Sequence, residues 1–87
     1  MKTMTLDALR VGERAVIDRI NTSGAMRQRL LDLGFVGGTV LRCVGHSPLG
    51  DPSAYLVRGS VIALRASDAR GISVLRLKRG GECYGTD

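Results

Sequence analysis

The chain has 87 residues, a mass of 9.3 kDa and a net charge of +5 from 13 basic and 8 acidic side chains. Surface scaling gives about 8,500 Å² buried on folding, enough for one domain. No apolar run approaches the ~20 residues of a spanning helix, MKTMTLDALR at the N-terminus is not a signal peptide, and two cysteines are too few for a disulfide framework. A cytoplasmic protein is expected.

Thr5 to Leu9 reads as a short helical turn with Thr5 as N-cap, ended by Val11-Gly12. Arg14 to Ile20 alternates like a strand, with Ala15 and Ile17 on one face and Val16, Asp18 and Ile20 on the other. Asn21 to Gly24 is a turn that supplies helix caps. The helix spans 25–33, with Met26, Leu30 and Leu33 on its inner face. Gly34 ends it in a left-handed conformation, and Phe35 folds back on Leu30 as in a Schellman cap. Gly37-Gly38 turns the chain into a second strand, Thr39 to Val44.

His46 to Ser53 is the clearest loop, holding both prolines. Ala54 to Arg58 and Val61 to Arg65 form a hairpin about Gly59-Ser60. Ser67 to Arg70 is a helical turn capped by Ser67 and ended by Gly71. Ile72 to Leu77 is the fifth strand. These elements describe a mainly β fold: a small SH3-like five-stranded barrel over residues 1–77 with one inserted helix. Residues 78–87 have little to bury and are expected to form a flexible tail.

The side chains argue against an enzyme. His46 is the single histidine, no nucleophile motif is present, and the acids are scattered. The glycines of 34–38 follow a helix and precede a strand, whereas a phosphate loop leads into a helix. Cys43 reads as a small buried hydrophobe and Cys83 as an exposed tail thiol. Cys43 and His46 are three apart and point to opposite faces unless the strand bulges between them. Cys83 or Glu82 could complete a surface site. No cofactor is required, and metal binding is limited to weak surface contact with a divalent ion such as Fe²⁺ or Zn²⁺. The arginines are dispersed apart from Arg76, Lys78 and Arg79, and no aromatic platform alternates with them, so nucleic acid is not the expected partner. A small basic nucleic-acid-binding barrel and a metal-responsive regulatory module are the alternatives.

The sharper reading is a protein-docking surface. Leu31, one turn above Arg27, points away from the inner face. With Val36 or Leu49 nearby, and with Phe35 beside Val36, it leaves an apolar patch fringed by Arg27 and Arg29. An open barrel edge also permits self-association.

The order of motifs resembles a known family. MRQRLLDLGFVGGT at 26–39, GDP at 50–52, YLVRGSVIALR at 55–65 and A-x-x-I-x-V at 69–74 are similar to the FeoA family of ferrous iron transport proteins. Phe35 stands where members usually carry Leu. The resemblance implies a cytosolic accessory of ferrous iron uptake. Its implied partner is FeoB, a membrane permease with a cytoplasmic GTPase domain, which it would support or regulate. The tail lies outside the resemblance.

Overall fold

The computed structural model describes residues 3–77. One antiparallel sheet of six strands dominates it: β1 (Met4–Thr5), β2 (Arg14–Ile20), β3 (Val40–His46), β4 (Ser53–Val57), β5 (Ser60–Leu64) and β6 (Ile72–Arg76), in the order β1-β6-β2-β3-β4-β5. Helix α1 (Gly24–Asp32) is inserted between β2 and β3, and the four-residue α2 (Ala66–Ala69) precedes β6. The fold is mainly β and SH3-like, as the alternation of strands and turns implies. The tail, with Lys78, Arg79, Glu82 and Cys83, lies outside the described residues.

The sheet coils around one aliphatic core. Ala15 and Ile17 of β2, Leu41 and Cys43 of β3, Tyr55 and Val57 of β4, and Ile72 and Val74 of β6 are all buried in one cluster. Their alternation along each strand is the period of two that the sequence carries. Leu6 and Leu9, from the 3₁₀ turn at Leu6–Ala8, close one end. Leu30 and Phe35 bring α1 onto the cluster.

Several expectations shift. The strands number six, because Met4–Thr5 pairs with β6 at Met4↔Val74 and Thr5↔Ser73; two residues are too short to show a period. β3 runs on to His46 because a bulge between Cys43 and Gly45 lets the ladder continue past Val44. A second bulge, between Ile17 and Arg19, frees Asp18 from the β2–β6 register. The hairpin centres on Arg58-Gly59 rather than Gly59-Ser60. Both have positive φ, 51° and 82°, the signature of a type I′ turn. Helix α2 begins one residue earlier than expected, and Ser67 does not cap it; the Asp51 carboxylate accepts from the Ala66 amide instead. Thr5 occupies the N-cap of the 3₁₀ turn without a side-chain bond to that turn's backbone; its hydroxyl bonds to the Asp7 carboxylate. Ser23, likewise, caps α1 by position alone.

The end of α1 is as the sequence implies. Gly34 has φ +106°. The Phe35 amide donates to the Leu30 carbonyl at 3.0 Å and the Gly34 amide to the Leu31 carbonyl at 3.1 Å. Those two bonds make a Schellman motif, and Phe35 and Leu30 are its apolar pair.

Candidate functional site

Helix α1 sinks a single side chain fully. Leu30 is buried, Met26 is half-buried, and Leu33 stays 37% exposed. Met26 and Leu30 take the inner face as expected, but Leu33 lies at its margin. Met26, Arg29 and Leu33 form one wall of a groove of about 260 Å³. Ala63, Leu64 and Arg65 line it from the end of β5 and the start of α2, and Pro52 and Asp68 from the loop and α2.

The hairpin turn joins the helix end nearby. A Cβ built on Gly34 would come within 3.2 Å of Arg58 Cδ and 3.4 Å of Val57 Cγ1. The aliphatic stem of Arg58 therefore lies against Gly34, and the absence of a Cβ there lets α1 end beside the β4–β5 hairpin.

Charge at the groove is positive. Arg29 and Arg65 carry no ion pair among the described residues, and Asp68 is the one acid in the lining. The ion pairs that are formed lie elsewhere, Arg70–Asp7 at 3.6 Å and Arg76–Glu13 at 3.2 Å.

The residues expected to form a docking patch differ in exposure. Arg27 is exposed and its Nη1 donates to the Ile20 carbonyl at 3.4 Å. Leu31 is half-buried, Val36 is 38% exposed, and Leu49 is 94% exposed at the tip of the 47–52 loop. Phe35 is corrected outright: it is 0% exposed, a core side chain anchoring the helix cap, and so it presents no surface to a partner. None of the five lines the groove. Met26, Arg29 and Leu33 repeat at helical spacing, but that spacing reads equally well as core.

The bulge after Cys43 puts His46 on the same face of the sheet as Cys43, opposite Ser53 and Tyr55, but the two differ in burial. Cys43 faces the core, where burial pushes its thiol pKa up. His46 is exposed, with Nδ1 2.5 Å from Ser53 Oγ. Among the described residues no three of His, Cys, Asp and Glu converge as metal ligands. Tyr55, buried with its hydroxyl donating to the Leu6 carbonyl at 3.4 Å, has its pKa raised to about 12, chiefly by desolvation.

Known proteins resemble this chain in shape and in sequence. A segment of the Porphyromonas gingivalis protein described as a Fe(2+) transport protein A/Fe(2+) transporter FeoB fusion is 39% identical over 71 residues, 82% of this chain. This chain spans 8% of that fusion's length. The solution structure of the FeoA protein from Chlorobium tepidum superposes with a TM-score of 0.79 at 33% identity, covering 97% of this chain and 73% of that one. The crystal structure of Stenotrophomonas maltophilia FeoA complexed with zinc, described as a prokaryotic SH3 domain protein, gives 0.74 at 35% identity, covering 82% and 88%. No helix among the described residues is long and apolar enough to cross a membrane. The FeoA domain model matches residues 4–76, nearly everything described, and the chain belongs to the FeoA family, which is associated with ferrous iron transport.

Proposed function

We propose that this chain is a non-enzymatic accessory of ferrous iron uptake, acting in the cytoplasm by binding the cytoplasmic part of a FeoB-type permease. The observation that carries this is the fusion relative, in which a segment 39% identical to this chain shares one polypeptide with an FeoB transporter. Fusion raises the local concentration of two modules to roughly the millimolar range, an advantage where the modules act together.

Two surfaces compete for the contact. One is the Arg27–Leu31 side of α1 with Val36 and Leu49. The other is the groove, which is concave, apolar at Met26 and Leu33, and flanked by arginines that form no ion pair among the described residues. The groove is the stronger candidate, because it is concave and its arginines make no ion pair among the described residues, whereas the Arg27 guanidinium donates to the Ile20 carbonyl.

Association needs no cofactor. The zinc-bound relative supports weak surface binding of a divalent metal, and equilibrium dialysis with Zn²⁺ tests it. A nucleic-acid role is disfavoured because Phe35 and Tyr55, the aromatics among the described residues, are buried and offer no base a stacking face.

Titration calorimetry against the purified cytoplasmic part of the permease should show saturable binding. Absence of binding at low salt removes the reading. Mixed oligonucleotides at the same salt should give a flat titration.

A further inference from the structure

Among the described residues the sheet has two free edges. β1 is two residues long, too short to template another strand. β5 is five residues, Ser60-Val61-Ile62-Ala63-Leu64, with no charge, proline or bulge within it. It lacks the usual defences of an exposed edge. Its register with β4 is unbroken from Val57↔Ser60 to Ser53↔Leu64. Because Val57 and Ser60 close the two-residue turn, antiparallel alternation turns the N–H and C=O groups of Val61 and Ala63 toward the free edge. Among the described residues no loop or turn backbone bonds to them. Val61 is 64% exposed.

The groove meets this edge, since Ala63 and Leu64 belong to both. Charge then selects the occupant. Arg58 precedes β5, Arg65 follows it, and Arg29 stands on the groove wall. Antiparallel pairing of β5 with β5 of a second copy would set Arg58 of each chain toward Arg65 of the other. Like charges opposed across strands are unfavourable, and each chain carries a net +5. A segment with carboxylates around an apolar centre meets the opposite situation. Its acids fall on Arg29, Arg58 and Arg65, and its alternate side chains can enter the groove against Met26 and Leu33.

We infer that β5 and the adjoining groove dock an extended acidic–apolar segment of a partner protein, which adds to the sheet as a further strand. This deepens the proposed function and rests on it: the segment belongs to the cytoplasmic part of the FeoB-type permease.

The test uses the whole chain with the purified cytoplasmic part of the permease as probe. Binding is followed by calorimetry, and backbone amide exchange is measured for the free and bound chain. Val61 and Ala63 amides should exchange at least ~10-fold more slowly in the complex. Ala63→Pro removes an outward N–H from an edge strand, where proline is tolerated. It should weaken binding at least ~10-fold, as should Arg29→Glu combined with Arg65→Glu. An amide correlation spectrum checks the fold of each variant. Wild-type binding with both amides unprotected overturns strand addition and leaves the partner reading standing. Absence of wild-type binding overturns both. Protection of the same amides in the free chain, as monomer or dimer, overturns the inference because the edge is then already filled.

Discussion

The Asp51 carboxylate, in the loop before β4, accepts a hydrogen bond at 2.9 Å from the Ala66 amide, 15 residues further on. Arg65, the residue at the N-cap of α2, makes no side-chain cap bond. The cap is therefore supplied by tertiary contact, and it ties the 47–52 loop to the start of α2 beside the groove.

Removing that cap should be measurable. Asp51→Ala is expected to cost about 1 kcal/mol, as for loss of an N-cap acceptor, while Asp51→Asn keeps an oxygen there and retains most of it. Urea denaturation of the three chains decides. Equal midpoints for wild type and Asp51→Ala would leave Asp51 as a turn residue and nothing more.

Gly34 should resist replacement. At φ +106°, with Arg58 Cδ 3.2 Å from where a Cβ would stand, it pairs backbone strain with a steric demand. Gly34→Ala is expected to cost about 1–3 kcal/mol. Adding Arg58→Ala should recover the steric part alone, because the left-handed backbone penalty is unchanged. Full recovery in thermal denaturation would show the strain to be negligible.

Phe35 is predicted to act through stability. Phe35→Ala should cost about 3–5 kcal/mol, and Phe35→Leu roughly half of that or less, because leucine fills most of the space between Leu30 and the core. Both follow from chemical denaturation. A folded, equally stable Phe35→Ala chain with weakened partner binding would contradict the core assignment.

Stability should fall at alkaline pH through Tyr55. Its pKa is raised to about 12 in the fold against 10.0 for the free side chain, because desolvation disfavours the phenolate. The native state therefore holds the proton more tightly, and this contribution is fully present below pH 10 and lost as pH rises through about 12. Tyr55→Phe should flatten that decline between pH 10 and 12 when unfolding is followed by circular dichroism. An unchanged slope would assign the alkaline sensitivity to other groups.

The legible parts of this fold are those where one residue's local chemistry decides. Gly34 stops α1 because it alone there reaches a left-handed φ without strain, and Phe35 follows as the cap's apolar partner; both are visible in the string Leu30 to Phe35. β2 was readable from Arg14 to Ile20 because inward Ala15 and Ile17 alternate with outward neighbours. The two-residue β1 and the bulge after Cys43 were not, since both exist only through pairing with β6 and β4. The burial of Phe35 was not legible for a similar reason. Helical spacing sorts Met26, Leu31 and Leu33 by angle, but how deeply each is buried depends on how close β5 and α2 approach.

By itself, the sequence determined a small aliphatic β domain with one capped helix, a family, and the absence of a nucleophile motif, because periodicity, turn chemistry and motif order are local properties. Tertiary structure alone decided that α1 stands beside β5 with a groove between, that Asp51 caps α2, and that Phe35 is core. It also decided that the uncharged β5 lies at the sheet edge. Edge or centre is a matter of strand order, and strand order is set by which faces and ladders can be buried together rather than by any single segment.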